Sequence, residues 1–221
     1  MRVFHRPPRI HQIFSPLEKI SLKNFSAHVR NKIEEFGLDS FILGGISFGF
    51  LVANGVATDS RCLGTAAILP YLNSSSLKLK PAKRNAYRIL VRFVLSFNLS
   101  NWVWESQVCR KLATWYSVYP PERVDVIFDE MDGKTFFETS RIILENAAAC
   151  RIRNRPTALF LSEGDGTIDN EYVTGLFSSR IRDLLIVRTQ IAHYPERVDK
   201  AYFQERIAAA DMGRMIGFFP G

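Results

Sequence analysis

Phe41-Ile42-Leu43-Gly44-Gly45-Ile46-Ser47-Phe48-Gly49-Phe50-Leu51-Val52-Ala53 is the most apolar run in the sequence. Its length falls well short of the roughly 20 residues that cross a bilayer as a helix. Gly45-x-x-x-Gly49 has the small-xxx-small spacing that lets helices approach closely. The run therefore reads as a buried core helix opening near Asp39 or Ser40, followed by an Asn54-Gly55 turn. As a helix it has no strand ahead of it, and Gly44–Gly49 has no lysine. No Gly-x-Ser-x-Gly elbow, P-loop or dinucleotide fingerprint is expected anywhere in the chain, and no nucleophilic constellation.

The flanking segments read the same way. Ser15-Pro16-Leu17-Glu18 is a helix start with a capping box, and Gly37 is a natural stop. A short helix is expected from Asp59 or Ser60 through Arg61-Cys62-Leu63 to Ile68. Pro81 opens a two-faced helix, with Tyr87, Leu90, Val91, Val94 and Leu95 on one stripe and Arg84, Arg88 and Arg92 opposite. A further helix starts near Ser100 and carries Trp102, Val103, Val108, Leu112 and Trp115. Pro120-Pro121 is the best boundary, and Val124–Phe128 alternates enough for a short strand. Thr135-x-x-Glu138 reads as a second capping box, Arg151–Pro156 as a basic loop and Glu163-Gly164-Asp165-Gly166 as a turn. Long helices are expected over Asp169–His193 and Asp199–Ile216. The fold class is mainly α: a multi-helix globular protein with at most a short β-hairpin. The expected organisation is a flexible basic arm over 1–14, a helical region over 15–119 and a helical C-terminal region over 120–221.

Among 221 residues, 47% are hydrophobic and 23% charged, an ordinary globular composition. The net charge of +7 permits attraction to nucleic acid, anionic membrane or acidic proteins without choosing among them. Cys62, Cys109 and Cys150 are odd in number and far apart, which argues for a reducing compartment and against a disulfide framework. No Cys or His pair has metal-ligand spacing, so neither a metal nor a cofactor is expected. The acids Asp125, Asp129, Glu130 and Asp132, then Glu163, Asp165 and Asp169, could hold Mg²⁺ as oxygen ligands. The Asp132-Gly133 and Asp165-Gly166 dipeptides are better explained as turns. The N-terminus has no apolar core of signal-peptide length.

Ile68-Leu69-Pro70-Tyr71-Leu72-Asn73-Ser74-Ser75-Ser76-Leu77-Lys78-Leu79-Lys80-Pro81 forms a proline-bounded corner that can keep Leu69 and Leu72 near the surface. With its flanks, Phe41 to Leu95, it resembles the F-box-like RNA-silencing suppressors of poleroviruses. The matching features are Leu69-Pro70, Leu72, the polar turn, Leu77-x-Leu79, Pro81 and the tyrosine-containing helix behind. The resemblance implies a non-enzymatic viral adaptor in the host-cell cytoplasm. Leu69, Pro70, Leu72 and Pro81 would dock on the Skp subunit of a cullin–RING ubiquitin ligase, and another surface would direct Argonaute to degradation. The alternative is a basic helical RNA-binding protein, a nucleocapsid or RNA-sequestering suppressor, with Arg84, Arg88 and Arg92 on phosphates. Peripheral membrane contact is left open.

Overall fold

The computed structural model describes residues 20–116, 124–125, 128–129, 131–146, 151–191, 193 and 200–219. Two compact units emerge. One joins Phe25–Lys78 to Ala147–Gly221, and the other includes Leu79–Asn146.

The first unit contains a parallel sheet. Helix α1 (Leu22–Glu35) leads to strand β1 (Phe41–Ile46), helix α2 (Phe48–Val56) and strand β2 (Cys62–Ile68). After Ala147 come β3 (Thr157–Ser162), α7 (Asn170–Ser178), β4 (Leu184–Thr189), α8 (Lys200–Arg206) and α9 (Ala209–Ile216). The strand order is β1-β2-β3-β4 and every pairing is parallel. All six residues of β3 are buried, as expected of a central parallel strand covered on both faces. Leu69, Ala158, Phe160, Leu185, Val187 and Ile191 anchor one core of this unit. Ile33, Phe41, Val56 and Cys62 anchor another.

The mainly-α expectation is thereby corrected. Phe41–Ala53 is a strand and a helix hinged at Ser47, Arg61–Ile68 is largely strand, and Asp169–His193 holds β4 behind a short helix. Buried parallel strands carry continuous apolar runs, and such short runs lack the alternation that distinguishes a half-exposed strand from a helix. Gly37 does end α1, at φ 57°, where a left-handed residue closes a helix without a Cβ penalty.

The second unit is helical. It holds α3 (Pro81–Ser96), α4 (Ser100–Glu105), α5 (Gln107–Tyr116) and α6 (Gly133–Glu145). Its core gathers Val91, Val94, Trp104, Phe128, Phe137 and Leu144, with the Trp104 and Phe128 rings stacked at 4.0 Å. Of the segment expected as a strand, Val124, Asp125 and Phe128 are helical; Val126 and Ile127 lie outside the described residues. Asp132, not Thr135, caps α6, its carboxylate accepting from the Thr135 N–H at 2.9 Å. The division between units falls at 78/79 and 146/147. Parallel pairing of β2 with β3 joins segments on either side of the helical unit, so no single cut in the chain separates them. The expected arm and Pro120-Pro121 lie outside the described residues.

Candidate active site

Ser47 is where strand β1 turns into helix α2. Its backbone sits at φ 49°, ψ −120°, a sparsely populated conformation that costs a non-glycine residue about 1–3 kcal/mol. The turn is held from several sides. The Ser47 N–H donates to the Ile68 carbonyl at 2.9 Å, while the Ser47 carbonyl accepts from the N–H groups of Phe50 and Tyr71, each at 3.1 Å. A Cβ on Gly45 would strike the backbone of Gly49 and Phe50, so the strand and helix can approach this closely only with glycine there. Gly44 and Gly49 face no such crowding.

Gly45-Ile46-Ser47-Phe48-Gly49 is therefore a Gly-x-Ser-x-Gly elbow, contrary to the sequence reading above, which took it for helix. The five residues are the signal that could have found it. In this arrangement the serine oxygen is presented beyond the sheet edge, and the next N–H, here that of Phe48, is placed to stabilise an oxyanion. The helix α2 N-terminus adds its positive dipole end.

Asp165 and His193 lie in the loops after β3 and β4. His193 Nδ1 is 3.0 Å from Asp165 Oδ2, and both side chains are almost fully buried. Asp165 Oδ1 accepts from the Thr167 N–H at 2.8 Å. Burial by itself would raise the Asp165 pKa; the His193 hydrogen bond and charge, with the Thr167 and Ile168 N–H groups, outweigh it and hold the carboxyl below its ordinary value. Lys78 braces the loop, its Nζ donating to the Asp165 carbonyl at 2.7 Å and its N–H to the Thr167 carbonyl at 2.8 Å.

Parallel strands bring these groups to one edge. Ile46, Ile68, Phe160 and Val187 form a row across the sheet through their pairings, and Ser47, Asp165 and His193 all follow it at the carboxyl ends. Across three spacings of ~4.8 Å, β1 and β4 are about 14 Å apart. The chain from Val187 to His193 can span up to ~20 Å, enough to carry the imidazole back toward Ser47.

Leu69, Pro70 and Leu72, expected to be exposed anchors, are buried, Leu69 and Leu72 at 0% exposure. Leu69 packs in the sheet core, and the corner it opens supplies the Tyr71 N–H that holds Ser47. Pro81 is exposed at the start of α3. Arg84, Arg88 and Arg92 also lie on α3, with Arg92 Nε 2.6 Å from Glu145. The carboxylates mostly have other roles: Asp125 and Asp129 pair with Arg110, while Asp132 and Asp169 cap helices. Glu130 lies outside the described residues. Among the described residues no three His, Cys, Asp or Glu side chains form a metal-binding group.

No family model matches the chain, and no curated protein matches it in sequence. Solved structures do. A hydrolase from Oleispira antarctica superposes with a TM-score of 0.56 at 16% identity, over 78% of this chain and 64% of its own. An epoxide hydrolase variant from Bacillus megaterium gives 0.54 at 13%, over 80% and 72%. The bottromycin epimerase BotH gives 0.55 at 16%, over 89% and 69%.

The fold is that of an α/β hydrolase.

The chain spans about two thirds of the length of the first hydrolases it matches. This likeness overturns the resemblance to polerovirus suppressors. With it go the F-box-like silencing function, the RNA-binding alternative and the expectation that the protein is not an enzyme. Among the described residues no helix is long and apolar enough to cross a membrane.

Proposed function

We propose that the chain is a serine hydrolase of the α/β-hydrolase type that cleaves a carboxylic ester or related acyl bond. Ser47 is the nucleophile, His193 the general base and Asp165 the acid that orients it. The observation that carries this reading is the strained Ser47 elbow on the same sheet edge as a buried Asp165–His193 pair. The chain order Ser, Asp, His is also that of the α/β hydrolases.

Ser47 Oγ attacks the acyl carbon as His193 Nε2 takes its proton, and the resulting oxyanion is met by the Phe48 N–H. Collapse of the tetrahedral species expels the alcohol, which receives the proton from His193 and leaves an acyl-Ser47 ester. Water, deprotonated by the same imidazole, attacks that ester, releases the acid and restores the serine. Asp165, held ionised, accepts from His193 Nδ1–H and stabilises the imidazolium at each proton transfer.

A fluorophosphonate probe tests this directly. The expected result is one covalent adduct on Ser47, hydrolysis of p-nitrophenyl esters, and a loss of about 10⁴–10⁶-fold in kcat in Ser47→Ala. A folded protein whose ester hydrolysis survives Ser47→Ala refutes the assignment.

A further inference from the structure

Helix α3 has two apolar faces. Val91 and Val94 are buried in the helical unit. Ile89, Phe93 and Phe97 recur every four residues on another face and are 67%, 53% and 64% exposed, with Leu90 beside them. The Phe93 and Phe97 rings lie 4.7 Å apart, so the stripe is continuous. Trp102 of α4 is also strongly exposed. A globular helix ordinarily turns one apolar stripe to its core and polar residues outward, and a contiguous exposed apolar patch marks a surface that meets something else.

Charge identifies that partner. No Asp or Glu occurs between Asp59 and Glu105, while Lys80, Lys83, Arg84, Arg88 and Arg92 fall on α3 and the residue before it. On a helix of about 3.6 residues per turn, Lys83 borders the stripe next to Leu90 and Arg92 borders it next to Ile89. Lys83 lies over the Tyr87 ring at 5.6 Å, an arrangement that keeps the ammonium beside apolar surface. Arg92 also pairs with Glu145 at 2.6 Å, but the other four cations sit on a stretch of chain that carries no acid of its own, and apolar and aromatic residues beside such a stretch match the boundary of an anionic bilayer. There the side chains enter the acyl region and the cations meet lipid phosphates.

We infer that the exposed face of α3, centred on Ile89, Phe93 and Phe97, docks peripherally on an anionic lipid surface. The inference does not depend on the hydrolase assignment, because binding is read without turnover. Full-length protein is sedimented with vesicles of phosphatidylcholine alone or mixed with phosphatidylglycerol. The expected result is partition into the mixed vesicles, weakened by salt, and at least a tenfold loss of partition in Phe93→Glu/Phe97→Glu. Ile89→Ser/Phe93→Ser, a milder pair with an unchanged circular dichroism spectrum, should show an intermediate loss. Wild type that stays in the supernatant with anionic vesicles overturns the inference, as does partition unchanged by either pair. A concentration-dependent dimer that Phe93→Glu dissolves, without vesicle binding, assigns the face to a second copy and overturns it too.

Discussion

Two adjacent parallel strands each end in a non-glycine residue at positive φ: Ser47 at 49° after β1 and Leu69 at 44° after β2. Both turns are strained and tied to neighbouring strands, Ser47 N–H to the Ile68 carbonyl and Leu69 N–H to the Phe160 carbonyl, each at 2.9 Å. Their side chains differ. Leu69 is sealed in the core at 0% exposure, whereas Ser47 is only half-buried. At Leu69 the strain is offset by burial of a large aliphatic group, on the order of 2 kcal/mol. At Ser47 a small polar side chain offers no such return. Strain kept without compensating burial is what a chemically active position shows; strain with burial belongs to the scaffold that supports it.

The comparison can be broken most sharply at the acid. Asp165→Asn should lower kcat by about 10⁴-fold, because the amide holds the His193 ring in the wrong tautomer, as steady-state ester hydrolysis would show. The same variant carries a pH signature. With the folded carboxyl below the ordinary 3.8, its contribution to stability is complete above that value and is lost as pH falls through the folded pKa. The gap in Tm between wild type and Asp165→Asn should therefore narrow below 3.8.

Glycine at each turn separates the two kinds of strain. Leu69→Gly should destabilise by about 2–4 kcal/mol, since lost burial and the cavity exceed the strain relieved. Ser47→Gly should stabilise by about 1 kcal/mol while abolishing hydrolysis. Urea denaturation of both variants decides the matter, and equal signs would sink the distinction. The smallest effect is expected at Lys78, which touches the Asp165 loop but is itself exposed. Lys78→Met should reduce kcat by roughly fivefold, about 1 kcal/mol, with KM unchanged, and Lys78→Arg should recover part of it.

Local features were legible where local physics governs them. Pro81 opens a helix, Gly37 closes one, and Val91 and Val94 face inward as their spacing requires. Leu90 was placed on that inner stripe and instead faces out. The elbow was present in the letters from Gly45 to Gly49. Reading Phe41–Ala53 as one helix concealed it, because an elbow is meaningful only where a strand runs into a helix. Asp165 was assigned to a glycine turn and His193 to the end of a helix, and nothing in their separate neighbourhoods joins them.

The amino-acid order alone determined the basic, acid-poor stretch around α3, several helix ends and the Gly-x-Ser-x-Gly spacing, because each depends on nearby residues. Only the tertiary structure decided that β1 to β4 pair in parallel and that Leu69 and Leu72 are sealed inside. It alone put Ser47, Asp165 and His193 on one edge. Those outcomes depend on pairing between segments distant in the chain, where burial and backbone hydrogen bonding override what a short apolar run would do by itself.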